Sequence, residues 1–269
     1  MSRAPHLGWR LATIFTWLLL LFLVAPIVMV VPLSFSGNSF LEFPPTSWST
    51  RWYAAFAGSL DYRQAVMNSV IVGLPVALLS SIFGTLAAIA IERGALPGRR
   101  ILAALFVAPA IIPQMVLAIG LYPLMVQVGL IGSFPAVILG QTVICTPLVF
   151  LAVGAALRGY APSYELAAMT LGAGRWHTFW LVTFPMIRPA VVIGFILAFT
   201  VSFDELILAM FLASPTTRTM PRLLWEQLTY EMTPTIAAAT ASILAATGVL
   251  LLVAAWVGRR STVRLDAAP

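Results

Sequence analysis

The sequence predicts an all-α membrane protein with six transmembrane helices, and three observations support this. Of the 269 residues, 61% are hydrophobic and only 9% are charged, whereas a soluble domain carries about 25% charged residues. The mean hydropathy is +0.99. Six apolar runs each reach the length of about 20 residues that a membrane-spanning helix needs. We therefore expect one multi-pass domain over residues 1–269, whose apolar surface is covered by lipid and by its own helices.

The six predicted spans follow one another along the whole chain. They lie at roughly 11–33, 64–91, 101–128, 134–156, 189–213 and 234–257. The first run is longer than the 7–15 residues of a signal-peptide h-region, and "VPLSFSG" has no small-x-small cleavage site, so we expect it to be retained. Prolines inside spans three and four predict kinks, because each removes a backbone hydrogen bond; they are Pro109, Pro113, Pro123 and Pro147.

The arginines predict the orientation in the membrane. All fifteen basic residues are arginine, and eleven of them lie at the two termini and in the loops after the second and fourth spans. The remaining loops hold four. The positive-inside rule then places both termini and the loop at 157–188 in the cytoplasm. Because the arginines lie in short gaps between apolar runs, the net charge of +6 indicates orientation and not nucleic-acid binding.

Two longer loops are then expected on the outer face, at about 34–63 and 214–233. The first contains "FPPTSWSTRWYAAF", whose aromatic residues suit a membrane interface. In the second, Pro221 predicts the start of a short helix, and "PRLLWEQLTYEM" alternates apolar and polar faces at helical spacing. Thr233 and Pro234 predict the start of the last span. The short helix either lies on the outer surface or serves as a docking or gating element for an external partner.

Several polar side chains lie inside predicted spans. Gln114, Gln127 and Gln141 carry amides that are costly to expose to lipid, so we expect them to face the bundle or a water-filled path. In the fifth span, Asp204 and Glu205 lie some 15 residues from the cytoplasmic end, or about 22 Å along a helix. Asp204 shares one stripe of that helix with Leu197, Thr200, Leu208 and Phe211.

Two interpretations of these carboxylates remain open. A buried carboxylate in a span favours a functional site, which makes Asp204 first and Glu205 second as contacts for a cationic ligand, with Thr200, Gln114 and Gln141 along the same path. The alternative is structural: a carboxylate pairs with an arginine such as Arg218 or Arg222, or caps a break in the helix.

The loop at 157–188 is predicted to be structured. A short helix is expected from Ser163 to about Leu171, ending at the break Gly172-Ala-Gly174. A second short helix is expected from Arg175 to about Val182, ending before Pro185. Two short helices joined by a glycine break form a compact unit that can receive force from a soluble partner.

The same loop resembles the EAA loop of bacterial ABC-importer permeases, and we call residues 157–188 the EAA-like loop. In "LAAMTLGAGRWHTFWLVTFP" six residues fall in register with the motif: Ala167, Ala168, Gly172, Val182, Phe184 and Pro185. Leu166 stands where the motif has glutamate, and Glu165 lies one place upstream. The resemblance implies the type I ABC importer permease fold. It also implies that the segment contacts an ATPase subunit through Glu165, Leu166, Ala167, Ala168, Gly172, Gly174 and Pro185.

A narrower resemblance extends over nearly the whole chain. "SFDELILAMFL", "TMPRLLWEQL" and "TPTIAAATASIL" resemble the second permease subunit of spermidine/putrescine-type importers, as does "NSVIVG" at 68–73. The resemblance implies a polyamine solute, or else another small amine, an amino-acid-like compound or an organic solute. It implies the bacterial inner membrane and three kinds of partner: a pair of cytoplasmic ATP-binding subunits, a second permease subunit and a periplasmic solute-binding protein.

Several activities are excluded by the residues themselves. There is no G-x-x-x-x-G-K-[ST] motif and no lysine, so ATP and Mg²⁺ must be used by another chain. We expect no cofactor, no metal and no catalytic residue here, since the only histidines, His6 and His177, lie outside the spans. A channel would need a filter loop or a charged ring, and none is evident. An ion-coupled secondary transporter remains an alternative, because Asp204 or Glu205 could hold a coupling cation.

Overall fold

The computed structural model describes residues 7–230 and 233–265, and every regular element in these ranges is a helix. In chain order the helices are α1 Leu7–Ser34, α2 Arg51–Gly58, α3 Leu60–Arg93, α4 Arg99–Ile111, α5 Gln114–Gln127, α6 Phe134–Arg158, α7 Ser163–Thr170, α8 Arg175–Thr178, α9 Phe184–Phe203, α10 Ile207–Leu212, α11 Met220–Tyr230 and α12 Pro234–Leu265. A single π-helical turn, Phe179–Thr183, joins α8 to α9.

Five helical segments of the described chain are long and apolar enough to cross a membrane. They correspond to the first, second, fourth, fifth and sixth predicted spans, and the second runs from Leu60 to Arg93 as one unbroken helix. The third predicted span is a bent pair, α4 and α5, which makes a sixth if it is counted as one span. The prediction of an all-helical protein with about six spans is confirmed at this level.

The third span differs from its prediction, because it is broken and not merely kinked. The axes of α4 and α5 make an angle of 100°. The break lies at Pro113, which has no N–H to continue the helix, and the preceding Ile112 is extended with ψ 133°. Pro109 and Pro123 stay inside their helices.

The fifth span also differs at both ends. The second short helix of the EAA-like loop does not end before Pro185, because α8 continues through the π-helical turn into α9. In that turn the N–H of Phe184 bonds to the carbonyl of Phe179, five residues back. A turn widened by one residue admits a proline that cannot donate a normal helical bond. At the other end, α9 stops at Phe203 and a new helix, α10, begins at Ile207.

The described residues divide into two compact units. The first comprises the chain up to residue 60 together with 224–245. Its loop between α1 and α2 is tied to α2 by aromatic residues: the indole of Trp52 donates to the carbonyl of Ser36 at 2.8 Å. The Tyr53 and Ser34 hydroxyls lie 2.7 Å apart. The aromatic residues predicted for a membrane interface therefore also hold the loop in shape.

The second unit, 61–223 together with 246–269, contains the main helical core. There α6 packs along α9, and α10 packs against α5 and α6. Small residues allow close approach: a Cβ at Gly84 of α3 would lie 2.8 Å from Cβ of Val149, and one at Gly194 of α9 would lie 3.1 Å from a methyl group of the same valine.

Polar contacts fix the segment after α10 onto α3 within this unit. The Asn68 amide donates to the carbonyls of Thr216 and Arg218, at 3.1 and 2.9 Å. The Ser69 hydroxyl accepts the N–H of Met220 at 2.8 Å, where α11 begins. The short helix predicted near Pro221 is confirmed.

Candidate functional site

The first part of the EAA-like loop is a helix that ends at a left-handed glycine. Helix α7 runs from Ser163 to Thr170, and Gly172 follows with φ +92°. The N–H groups of Gly172 and Ala173 bond back to the carbonyls of Met169 and Ala168, both at 3.0 Å, which satisfies two of the free carbonyls at the helix end. The predicted break at the glycines is confirmed, and it depends on the left-handed backbone of Gly172.

Gly174 and Pro185 bound the second part of the loop. Gly174 precedes α8 in an extended conformation, and no atom lies within 4 Å of the position its Cβ would occupy. Pro185 lies in the first turn of α9. The loop therefore consists of one short helix, one tight turn and a helical segment that continues into a membrane-spanning helix.

Glu165 lies on the inner face of α7 and is buried. Its Oε1 atom accepts hydrogen bonds from the Tyr160 hydroxyl at 2.5 Å, from Thr183 Oγ1 at 3.0 Å and from Arg93 Nε at 3.2 Å. The guanidinium of Arg93 also donates to the carbonyls of Leu157 and Tyr160. The implied contact between Glu165 and an ATPase subunit does not agree with this inward position.

Tyr160 supports this cluster as a hydrogen-bond donor. Burial, and then its hydrogen bond to Glu165, raise the pKa of the Tyr160 phenol. The hydroxyl group therefore keeps its proton at physiological pH and donates to the carboxylate. Its ring lies 4.6 Å from the guanidinium carbon of Arg93, within the range of a cation–π interaction.

The outer face of the EAA-like loop is apolar and exposed. Leu166, at the motif glutamate position, is 60% exposed, and Leu171, beside Gly172, is 89% exposed. Tyr164, Met169 and Trp176 are exposed as well. Ala167 is exposed and Ala168 is half-buried. Large apolar groups exposed on a loop indicate a surface that a partner covers.

The two carboxylates of the fifth span differ sharply in environment, which corrects their predicted order. The helix ends at Asp204, so the two residues do not continue one helical stripe with Leu208. Asp204 is exposed on this chain, and its carboxylate has no hydrogen-bond or ion-pair partner within 7–230 and 233–265. Glu205 is only 4% exposed.

Glu205 caps the helix that follows the break. Its Oε1 accepts the N–H of Leu208 at 2.9 Å and its Oε2 accepts the N–H of Ala209 at 3.2 Å, which satisfies two free donors at the start of α10. Gln141 of α6 donates to Oε2 at 3.2 Å and accepts from the Ser202 hydroxyl at 2.5 Å. Of the two interpretations left open by the sequence, the structural one therefore describes Glu205.

The other predicted path residues do not form one cluster. Gln141 is fully buried in the Glu205 network. Thr200 is half-buried, and its hydroxyl has no hydrogen-bond partner in the described part of the chain. Gln114 begins α5 just after the break at Pro113 and is exposed on this chain.

Four residues of these two networks were not singled out from the sequence: Arg93, Tyr160, Thr183 and Ser202. Arg93 ends an apolar run, where an arginine is normally taken only as an orientation signal. The displaced glutamate of the motif was the one available signal, because a carboxylate one place out of register points about 100° away around the helix.

Comparison with known proteins agrees with this architecture. The family model described as "Binding-protein-dependent transport system inner membrane component" matches residues 4–263. The putrescine transport system permease protein PotI of Escherichia coli K12 is 32% identical over 247 residues, covering 89% of this chain and 88% of PotI. The spermidine/putrescine permease protein PotC of the same strain is 24% identical, covering 90% and 91%.

A solved structure shows the same fold. A chain of a bacterial ABC transporter that imports the acidic polysaccharide alginate superimposes with a TM-score of 0.69 at 17% identity, covering 94% of this chain and 96% of that one. The match of a family model to nearly the whole sequence, together with the identity to PotI, decides the family. The chain therefore belongs to the binding-protein-dependent transport system inner membrane components, the multi-pass permease subunits of ABC transporters.

Proposed function

We propose that this permease lines the path of a small organic cation, a polyamine such as putrescine or spermidine, through an ATP-driven importer. The observation that carries the proposal is Asp204, an exposed carboxylate without a partner among the described residues, located at a helix break inside the fifth predicted span. A carboxylate facing lipid is costly, so Asp204 faces either a water-filled path or a neighbouring subunit. PotI and PotC, which transport polyamines by name, support the cation.

The break gives this carboxylate a defined place. Helix α9 ends at Phe203 and α10 begins at Ile207, where Glu205 caps it, and Asp204 lies exposed in the break between the two helices. Non-helical backbone at membrane depth is tolerated where it lines a cavity or is buried in protein. Thr200 lies one turn before Asp204, but its hydroxyl oxygen is buried in this chain, so the proposal rests on Asp204 and not on Thr200.

The proposal includes the partners that such an importer needs. A pair of ATP-binding subunits would cover the exposed apolar residues of the EAA-like loop, Leu166, Met169 and Leu171. A second permease subunit would complete the path, and a periplasmic binding protein would deliver the solute. In this arrangement both termini and the EAA-like loop face the cytoplasm, as the arginine distribution predicts.

Asp204→Asn tests the cation directly, because it keeps the side-chain shape and removes the charge. We expect putrescine uptake by the assembled importer to fall about tenfold or more. Complex yield and the ATP hydrolysis stimulated by the binding protein should stay near wild type, since the Asp204 carboxylate has no partner among the described residues of this chain. Uptake is measured with labelled putrescine in proteoliposomes.

Two outcomes would contradict the proposal. Full putrescine uptake by the Asn variant would remove Asp204 from the path. Loss of the assembled complex would instead mean that Asp204 contacts the second permease subunit. If putrescine is not carried, direct uptake of other labelled small amines or amino-acid-like compounds in the same proteoliposomes identifies the solute.

A further inference from the structure

Glu165 joins three separate elements of the chain through one oxygen atom. Oε1 accepts from Arg93 at the end of α3, from Tyr160 in the connection between α6 and α7, and from Thr183 in the π-helical turn. These donors are 72, 5 and 18 residues away in sequence. A single side chain of α7 is therefore fastened to the beginning or end of each long helix around it.

Arg93 closes the same cluster from the other side. Its Nη2 donates to the carbonyl of Leu157 at 2.7 Å and to that of Tyr160 at 3.3 Å. These carbonyls belong to the last turn of α6 and the residues after it, where helical carbonyls lack partners in their own helix. Arg93 thus ties α3 to the end of α6 and, through Glu165, to α7.

The ion pair between Arg93 and Glu165 is less exposed than an ordinary surface ion pair. The side chains of Arg93 and Glu165 are 15% and 12% exposed, whereas Arg158, which pairs with Glu92 nearby, is 58% exposed. A partly buried, charge-assisted cluster with four further hydrogen bonds holds its geometry better than exposed ion pairs do. The adjacent Leu166 and Leu171 point outward. The faces of α7 therefore divide into an inner polar one and an outer apolar one.

We infer that Glu165 is a positioning residue, and that the cluster of Arg93, Tyr160, Glu165 and Thr183 makes α7 move together with the ends of α3, α6 and α9. On this inference the motif glutamate, shifted by one place, fastens the loop to its own subunit, and the apolar outer face contacts the ATPase. The inference rests on the proposed function in one respect only, that a partner ATPase displaces the loop.

The packing of α3 shows where such a displacement would be transmitted. Helix α3 is 34 residues long, and Gly84 and Gly73 bring it close to Val149 of α6 and to Phe199 of α9. Phe199 lies one turn before Phe203, where α9 ends and the Glu205 break begins. A loop fastened to α3 would move this whole set of helices, while a loosely attached loop would rotate without moving them.

A double-mutant cycle tests the inference in the full importer in proteoliposomes. For Arg93→Ala and Glu165→Ala we expect a fivefold or greater fall in putrescine transported per ATP hydrolysed, with the ATPase subunits still bound. The double variant should be no worse than the poorer single variant, because each change breaks the same cluster. If Glu165 instead contacted the ATPase, Glu165→Ala would release that subunit, Arg93→Ala would be near normal and the effects would add. That pattern would overturn the inference.

Hydrogen exchange supplies a readout that does not depend on the solute. In Glu165→Ala the backbone amides of 163–170 should exchange at least tenfold faster, while those of the α6 interior stay unchanged. Leu166→Ala, its exposed neighbour, is the matched control: with the ATPase subunits in excess so that they stay bound, it should leave this exchange unaltered. Equal exchange in wild type and Glu165→Ala would also overturn the inference. A wild-type importer that shows the protection but carries no putrescine would refute the proposed solute alone.

Smaller changes keep the test decisive if an alanine variant does not assemble. Tyr160→Phe and Thr183→Val each remove one hydroxyl donor from Oε1 and preserve the shape of the side chain. Each should give a partial increase in exchange over 163–170, and Glu165→Gln, which keeps an oxygen acceptor and loses the ion pair, should fall between these and Glu165→Ala. Normal exchange in all three would contradict the cluster.

Discussion

At the scale of single residues, two adjacent carboxylates differ in their contacts because they lie at a break between two helices. The carboxylate of Glu205 accepts hydrogen bonds from two N–H groups at the start of α10 and from the amide of Gln141. Asp204 keeps its acceptors free among the described residues. Sequence proximity therefore says nothing about which of two neighbouring acids serves the structure and which is available to a ligand.

The capping role of Glu205 leads to a stability prediction. Glu205→Gln replaces one acceptor oxygen by an NH₂ group. Either the N–H of Leu208, which bonds to Oε1, loses its acceptor, or the N–H of Ala209 and the amide of Gln141, which both bond to Oε2, lose theirs. Leaving one buried donor unpaired costs about 1–3 kcal/mol. We expect the free energy of unfolding of the purified permease to fall by about that amount, seen as a lower Tm. Asp204→Asn, whose side chain has no such contact, is the matched control and should unfold as wild type does.

A Glu205→Gln variant with an unchanged Tm would show that the cap is dispensable. Gln141→Leu adds a second check, because it removes one of the three donors to Glu205 and leaves both N–H groups of α10 capped. It also removes the acceptor of the Ser202 hydroxyl, which can instead bond to a carbonyl one turn back in its own helix. Its loss of stability should be smaller than that of Glu205→Gln. The order of the two variants then separates the helix cap from the contact between α6 and α10.

At the scale of elements, the turn after α7 depends on the backbone freedom of one glycine. Gly172 has φ +92°, and no atom lies within 4 Å of where its Cβ would be, so any penalty on substitution comes from the backbone alone. A left-handed conformation costs a residue with a Cβ about 1–2 kcal/mol, and more if it is β-branched. Gly174, with φ −67°, carries no such requirement.

We therefore expect Gly172→Val to uncouple ATP hydrolysis from transport while the complex still assembles. The variant should change the backbone at the end of α7. Leu171 would then point in a different direction on the apolar outer face of the EAA-like loop, which we propose as the docking surface for the ATPase. ATP hydrolysis and uptake are measured in parallel on the same proteoliposomes. Gly174→Ala is the control at the same turn and should behave as wild type. Normal coupling in Gly172→Val would mean that the turn tolerates a different geometry.

Hydropathy and the positions of proline and glycine predict the helices well wherever these signals change at the ends of a helix. The spans, the α7 helix, its glycine end and the α11 helix all follow from apolar length, proline and glycine. The break at Pro113 was predicted only as a kink, and the break at Asp204 only as one of two alternatives, because apolar composition is the same on both sides of each. Their causes are a missing N–H in one case and a side-chain cap from a buried glutamate in the other, and the second depends on Gln141, 64 residues away.

The candidate site shows the same limit. The glycine turn was predictable because it depends on neighbours in sequence, whereas the exposure of Leu166 and Leu171 was found only in the structure. The cluster around Glu165 was not, because its strongest charge partner is 72 residues distant, at the end of a different helix. A motif register identifies where a loop lies, but the direction of one side chain is decided by what packs against it.

At the scale of the whole molecule, much apolar surface is exposed on the chain taken alone. The most apolar window of α1 has none of its residues buried, and α4 and α5 also expose large apolar side chains. Lipid is one environment that such surfaces suit, and the second permease subunit of the proposed importer is another. These exposed faces agree with a subunit that works only as part of a larger membrane complex.

The orientation of the chain is the last prediction, and cysteine labelling tests it. Cys145 is buried and can be replaced by alanine, which leaves a background without thiols. Thr216 is exposed before α11 and Ser163 is exposed at the start of α7, so a cysteine at either position can be reached from its own side. Thr216 serves better than Ser214, whose hydroxyl bonds to the carbonyl of Gly132 at 2.7 Å. The arginine distribution places 214–233 outside and 157–188 inside.

In spheroplasts an impermeant thiol reagent should therefore label Thr216→Cys and spare Ser163→Cys, and inverted vesicles should give the reverse. Permeabilised membranes provide the control that both thiols are reactive. Labelling of Ser163→Cys in intact spheroplasts would put the EAA-like loop on the outer face. A cytoplasmic ATPase could not then reach Leu166 and Leu171, so this one result would contradict the orientation, the docking surface and the proposed direction of coupling together.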